Sequence, residues 1–441
     1  MTSPVTRAGL IAAIGCLALL APLLEWATVV LFGAIALAAI AIPREWRLFD
    51  ILARPGDQEA GQLRGLTGFA MASTALALLG TVDAFGFPLA IFVLTLLIVA
   101  VGNFGETAAR AKLNTQAVGA IVFAVSGSIG ALIGLHVLAF LFPAETVIGL
   151  GTAVFLATLG SLVGALCRTD FYRRDDPVVL LTVGIILWIL ARIMPSTHVE
   201  LVLVALAITG ALGALAYAVE TASVAGMLSG IIVGYVTVVL AGFTWFGILL
   251  AFFAVGGIST KYRYEEKLAR GVAEQRRGAR GTGNVLGNSL IAVIAVLGYV
   301  VAPTTAWITE PIAALAFGGA VATALADTLS SEIGSLADEP RLITTFEPVK
   351  AGTDGAVTVR GTAAGLFGAA LIASLAYAFL PEMGEIGGAI VLLAGVGGMI
   401  ADSVFGATIE ERLIDNQGVN LLATAVGASL ASGLGIVIGF H

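Results

Sequence analysis

Apolar runs of roughly 16 to 25 residues recur from Ala8 to the C-terminus, each long enough to cross or nearly cross a hydrocarbon core of about 30 Å. In lipid every backbone N–H and C=O must find its partner inside the protein, so only helices or a closed barrel can span. Barrel strands would alternate polar and apolar residues, and these runs do not. The pattern predicts an all-α, polytopic transmembrane helical bundle of about 15 helices. They are expected at 8–23, 27–42, 65–81, 85–101, 115–141, 146–166, 178–194, 200–217, 222–241, 243–258, 284–302, 306–324, 361–380, 386–401 and 419–439. Charged residues make up 12% of the chain, against about 25% in a soluble domain. The first run lacks a small-residue cleavage site before the next span begins, which predicts a retained helix instead of a signal peptide.

The connections alternate in charge. One set carries Arg44, Arg47, Arg54 and Arg64, then Arg110 and Lys112, then Arg168, Arg173 and Arg174, then Lys261 to Arg280. The other carries Glu25, Asp83, Glu145, Glu200, Glu310, Glu382 and Glu385, with Arg192 near a helix end. The positive-inside rule makes the basic set cytoplasmic. Counting hairpins forward from the last basic loop places the segments around Asp327 and Asp402 on that same face, so a candidate site is expected there. Residues 1–200 read as hairpins of unknown role, and 201–441 as the domain that carries the polar motifs.

A carboxylate at a helix end in or near lipid is costly enough to be treated as functional. Two such acids occur, in Ala326-Asp-Thr-Leu-Ser-Ser-Glu-Ile-Gly334 and Ile400-Ala-Asp-Ser-Val-Phe-Gly-Ala407. On a helix Ser330 and Ser331 share the face of Asp327, while Glu332 points away. An aspartate with hydroxyls above it suits Mg²⁺ or a substrate hydroxyl, and two such acids suit a cation shared with substrate phosphates. The plainer alternative makes Asp327 and Asp402 N-caps of cytoplasmic helices. The strip Arg276 to Asn288 adds Arg276, Arg277 and Arg280 with Gly278, Gly281, Gly283 and Gly287. Such glycines let backbone N–H groups and a helix N-terminus approach phosphate, although the same cations serve equally to fix topology. No Walker A loop is present. The 335–360 segment ends in Lys350-Ala-Gly-Thr-Asp-Gly355, whose lysine reads either as a phosphate contact or as an exposed loop residue.

His136, His198 and His441 accompany no nucleophile or acid in catalytic spacing, which argues against a hydrolase triad and a His-ligated zinc site. Cys16 and Cys167 read as buried free thiols.

Several motifs occur together: Ser259-Thr-Lys261, Arg280-Gly-x-x-Asn284-Val-Leu-Gly-Asn288, Ala326-Asp-Thr-x-x-Ser-Glu-Ile-Gly334, Pro340-Arg-Leu-Ile-Thr344, Pro348-Val-x-x-Gly-Thr-Asp-Gly355, Asp402-Ser-x-x-Gly406 and Asn416-x-x-Val-Asn420. In combination they resemble the transmembrane protein nineteen family, also called domain of unknown function ninety-two, which includes the plant phytyl-phosphate kinase. The resemblance covers 200–441 and leaves the first 200 residues aside. It implies a phosphotransferase that converts a polyprenyl phosphate of phytyl or geranylgeranyl type to its diphosphate, with CTP or ATP as co-substrate and Mg²⁺ as cofactor. Asp327, Asp402 and Ser331 would then be catalytic, with Asp327, Asp402 and Glu332 as metal ligands. Lys261, Arg280, Asn284, Asn288, Lys350, Thr353, Asp354 and Asn420 would bind substrate or nucleotide. The expected partners are the bilayer, an isoprenoid lipid phosphate and a nucleotide, with no nucleic acid. The expected location is the plasma membrane of a prokaryote, with the motif loops cytoplasmic. Two other classes stay open: a secondary transporter, and a non-enzymatic lipid-handling protein such as a scramblase or scaffold.

Overall fold

The computed structural model describes residues 2–440 except 83, 114, 144–147, 172–175, 274–278 and 411–412. Each predicted apolar run overlaps a helix. Among the described residues, 13 helices are long and apolar enough to cross a membrane. Of the other two, Ala27–Ala41 is a shorter apolar helix, and Arg64–Thr81 opens on an arginine and carries three threonines and a serine. The chain is a polytopic helical membrane protein. It divides into two compact units, Met1–Val204 and Ala205–His441.

The first unit contains α1 (Pro4–Leu24), α2 (Ala27–Ala41), α3 (Arg64–Thr81), α4 (Leu89–Arg110), α5 (Gln116–Leu141), α6 (Leu150–Leu166) and α7 (Asp176–Ile193). The unit boundary falls within α8 (Val199–Ala218). Helix α4 forms the core and packs against α1, α3, α5, α6 and α7.

At one end of this unit the charges that read as topology signals form a buried network. The Arg168 guanidinium donates to Glu106 Oε2 and Asn103 Oδ1, each at 2.9 Å, pairs with Asp176, and lies 5.5 Å from the centre of the Phe123 ring. Arg110 donates to the other Glu106 oxygen at 2.8 Å, and Arg54 completes the set on Asp176. Gly65 and Gly119 leave room for these cations, since a Cβ there would stand 2.9 Å and 2.7 Å from the Nε of Arg54 and Arg110 respectively. Arg173 and Arg174, in the same basic set, lie outside the described residues.

The second unit continues with α9 (Val224–Ala241), α10 (Phe243–Lys261), α11 (Thr282–Val301), α12 (Glu310–Gly334), α13 (Val359–Phe379), α14 (Gly384–Thr408) and α15 (Asn416–Ile438). Helix α12 is central and packs against α10, α11, α13, α14 and α15. Small residues permit this crowding. Gly361, Gly365 and Gly368 of α13 run over the backbone carbonyls of Ser330, Ala326 and Leu325. Gly398 of α14 and Gly427 of α15 close on Thr323, whose hydroxyl is satisfied by the Gly319 carbonyl at 2.9 Å.

Between α12 and α13 the chain forms a strap, held by the short antiparallel pair β1 (Arg341–Leu342) and β2 (Ala356–Val357), with Arg341 opposite Val357 and Leu342 opposite Ala356. Two glycines of the strap adopt left-handed backbone, Gly352 at φ +83° and Gly355 at φ +74°. A Cβ on Gly352 would meet the Val272 side chain at 2.9 Å, and one on Gly355 would meet the Ser403 carbonyl and Ala407 at 2.5 Å. The strap is thereby seated against both the 271–273 segment and the end of α14.

Candidate functional site

Six helix ends meet at one end of the second unit: the C-termini of α10, α12 and α14 and the N-termini of α11, α13 and α15. The polar segments separated in sequence converge there on a cleft of about 570 Å³. Its lining includes Arg280, Asn284, Asn288, Asp327, Ser331, Glu332, Thr353, Asp354, Asp402 and Asn420. Lys261 and Lys350 do not line it. The Lys261 ammonium donates to the Val219 carbonyl at 2.7 Å. Lys350 is exposed in the strap, where its carbonyl accepts from the Thr353 hydroxyl at 2.8 Å and closes the turn.

Asp327 and Asp402 lie inside helices, about two turns and ~10 Å short of the ends of α12 and α14. Neither is an N-cap. The apolar runs stop near residues 324 and 401, but both helices continue to 334 and 408, because the polar residues that follow face the cleft and the helical ladder still satisfies their backbone. The two aspartates line the same cleft, one from each side of the α12–α14 contact. Asp402 Oδ1 is buried and has no hydrogen-bond partner. The Ser331 hydroxyl turns back on its own helix and donates to the Asp327 and Thr328 carbonyls at 3.0 and 3.1 Å.

Glu332 is engaged elsewhere. Lys267, fully buried in the short helix Tyr264–Ala269, donates to the Ser259 and Thr260 carbonyls and pairs with Glu332 Oε2 at 2.5 Å. The three donors of that ammonium are all used, and the pair pins the end of α10 to α12. As a metal ligand Glu332 would have to share its charge with Lys267, and among the described residues no three His, Cys, Asp or Glu side chains gather at one point.

Arg280 is held by its backbone, which donates to the Thr221 carbonyl at 2.9 Å and accepts from the Ser223 N–H at 3.0 Å. Its guanidinium crosses Gly256 of α10, where a Cβ would stand 2.7 Å from Nη2, and lies 5.4 Å from the centre of the Phe252 ring. Three helices begin at the cleft. Thr358 caps α13 and Asp415 caps α15, each accepting from an N–H at 2.9 Å, whereas Gly281 gives α11 no side-chain cap. The open N-terminus of α11 therefore stands beside Arg280, and its free N–H groups favour an anion. Arg280→Gln is expected to weaken the cleft's affinity for a phosphate-bearing anion about tenfold, the loss of one charge-assisted contact. The pair Arg276→Gln/Arg277→Gln, outside the described residues, should matter less. Equilibrium binding of inorganic tripolyphosphate to both variants, with equal membrane insertion, checks this.

Residues 207–436 match the sequence profile of the family described as integral membrane protein DUF92. An uncharacterised membrane protein of Methanocaldococcus jannaschii is 38% identical over 211 residues, which cover 46% of this chain and 81% of the relative. One from Synechocystis is 35% identical over 207 residues, 45% of this chain and 77% of the relative. The chloroplastic protein VTE6 of Arabidopsis thaliana is 30% identical over 214 residues, 47% of this chain and 64% of that protein. No solved structure matches. The matched region coincides with the second unit, which holds the cleft.

Proposed function

This chain belongs to the DUF92 family of integral membrane proteins, and from that premise we propose that its second unit is a phosphotransferase that converts an isoprenoid phosphate to its diphosphate at the expense of a nucleoside triphosphate. The observation that carries the reading is the acid pair Asp327 and Asp402, side by side in a polar cleft that also receives Arg280. The resemblance of its motifs to a family that includes the plant phytyl-phosphate kinase supports it.

The donor set fits Mg²⁺. It offers hard carboxylate oxygens, one of them buried and without a partner, and with no third acid gathered at the same point among the described residues the remaining ligands would come from water and substrate phosphates, as Mg²⁺ prefers. Asp327 and Asp402 would hold the ion, and the chemistry it would supply there is neutralisation of charge on the phosphates. In the transfer an oxygen of the lipid phosphate forms a new P–O bond to the terminal phosphorus of the nucleotide, and the bond to the departing nucleoside diphosphate breaks. The acceptor is already ionised at neutral pH, so no general base is required. The work left to the protein is alignment and charge neutralisation. Arg280 and the N-terminus of α11 hold phosphate oxygens, and the strap, seated on Gly355 and Gly406, covers the reacting groups.

An alternating-access carrier is the competing reading. In α12 and α14, each 25 residues long, the helix midpoint lies ~18 Å from the end, and the acids lie ~10 Å from it. That placement favours a site entered from one face over a midplane gate. Incubating the purified protein with γ-labelled CTP or ATP, Mg²⁺ and a panel of prenyl monophosphates tests the reading. Label appearing in a prenyl diphosphate supports it, and an inert panel removes it.

The positive-inside reading of the basic loops supports a cleft that opens toward the cytoplasm. In a background with Cys16 and Cys167 replaced, cysteines at Ala273, Ser335 and Leu413 are expected to react with an impermeant thiol reagent from the cytoplasmic side only. Trp307, 96% exposed between α11 and α12, should label as cysteine from the opposite side only. Labelling of a cleft position from outside would contradict this orientation.

A further inference from the structure

Helices α11 and α15 contribute four side chains to the cleft, Asn284 and Asn288 from the first and Asn416 and Asn420 from the second, and all four are asparagines. Each pair is spaced by four residues, which puts both carboxamides on one helix face. The two helices are locked in register by Gln417. A Cβ on Gly283 would overlap its amide at 1.7 Å, and one on Gly287 would meet its carbonyl at 2.9 Å. Asn288 is largely buried, lines the cleft and donates one N–H to the Asn284 carbonyl at 2.9 Å, a bond that uses one of the amide's two N–H donors and not its oxygen. Asn420 Nδ2 stands 3.5 Å from Asn416 Oδ1. The result is an electroneutral wall of carboxamides, while the cleft's charges come from α12, α14, the strap and Arg280.

Resting on the phosphotransferase reading above, we propose that this asparagine wall binds the base of the nucleoside triphosphate and sets which base is accepted. The reactants offer three chemistries. Phosphates seek cations, metal and backbone N–H groups, which are supplied by Arg280, by the acid pair that would hold the metal and by the backbone at the start of α11, and not by the four carboxamide side chains. A prenyl chain seeks apolar surface, and a wall of four carboxamides would leave its own polar groups unpaired against it. A nucleobase presents neighbouring donors and acceptors on a planar edge, and a carboxamide, with one of each, can meet such an edge with two hydrogen bonds. A cleft of about 570 Å³ has room for a base beyond the phosphates.

Equilibrium binding to the detergent-purified full chain with Mg²⁺ tests this, using non-hydrolysable analogues of the four common ribonucleoside triphosphates and inorganic tripolyphosphate as a ligand with the same phosphates and no base. The unaltered protein is expected to bind at least one nucleotide about tenfold or more tighter than tripolyphosphate. Asn284→Ala and Asn420→Ala should each erase most of that preference while tripolyphosphate affinity stays within about twofold, which also shows that the site is folded. Equal affinity of the unaltered protein for tripolyphosphate and every nucleotide would overturn the asparagine assignment and leave the phosphotransferase standing. The same holds if the variants weaken both ligand types alike, since the wall would then serve phosphate or metal. If the unaltered protein binds neither tripolyphosphate nor nucleotide, the phosphotransferase reading falls and this inference falls with it.

Discussion

Asp327→Asn and Asp402→Asn are each expected to lower the rate of phosphoryl transfer by about 10²-fold or more, roughly 2.7 kcal/mol of barrier. The substitution keeps shape and removes one negative charge from a pair that lines one cleft across the α12–α14 contact. A divalent ion would lose half of the protein's carboxylate ligands, and the phosphates would lose the charge that aligns them. Stability should not fall, because two carboxyl groups held together in a partly buried place repel when both are ionised, and an amide relieves this. Thermal unfolding of each variant alongside initial rates separates the two effects. A well-folded, Mg²⁺-saturated variant that turns over near the original rate would show that its aspartate is not part of the chemistry.

In the first unit, Asp176→Asn should destabilise by about 3–5 kcal/mol. Asp176 is almost wholly buried and faces two guanidiniums, those of Arg54 and Arg168. Removing its charge leaves the buried Arg168 with Glu106 as its remaining acid and takes the acid from the partly exposed Arg54. Glu266→Gln, which loosens the more exposed pairs with Arg263 and Arg270, should cost about 1 kcal/mol or less. Unfolding transitions of both variants in one detergent supply the comparison. Equal, small shifts would mean that the buried network contributes little to the unit.

The helices were legible in the sequence because a bilayer tolerates few alternatives: long apolar runs without polar alternation can only be helices. The convergence of the three polar segments was legible too, since counting hairpins from the last basic loop sends Arg280, Asp327 and Asp402 to one end, and the cleft joins them there. The ends of α12 and α14 were not. Apolar patterning stops where the helix turns its polar residues to the cleft, so Asp327 and Asp402 read as boundary residues when they are internal. Contacts between distant residues were equally out of reach. Lys267 and Glu332 are separated by 65 positions and Arg168 and Glu106 by 62, and neither pair leaves a local spacing to read. Arg54, Arg110 and Arg168, which read as topology signals, are ion-pair partners of Asp176 and Glu106, a role that the charge of the loops alone does not reveal. Of the two readings of Lys350, the exposed loop residue is the one that the strap realises, since its left-handed Gly352 and Gly355 line the cleft and Lys350 does not.

The most direct test follows the lipid itself. Phosphorus NMR of geranylgeranyl phosphate in mixed micelles with the purified protein, Mg²⁺ and CTP, repeated with ATP, distinguishes a monophosphate from a diphosphate without any label. The account predicts that with at least one nucleotide the monophosphate resonance gives way to the paired resonances of a diphosphate in step with nucleoside diphosphate release, and that Asp327→Asn and Asp402→Asn abolish this on the same time scale. Nucleotide hydrolysed to free phosphate with the lipid unchanged, or no phosphorus resonance altered with either nucleotide, would contradict it.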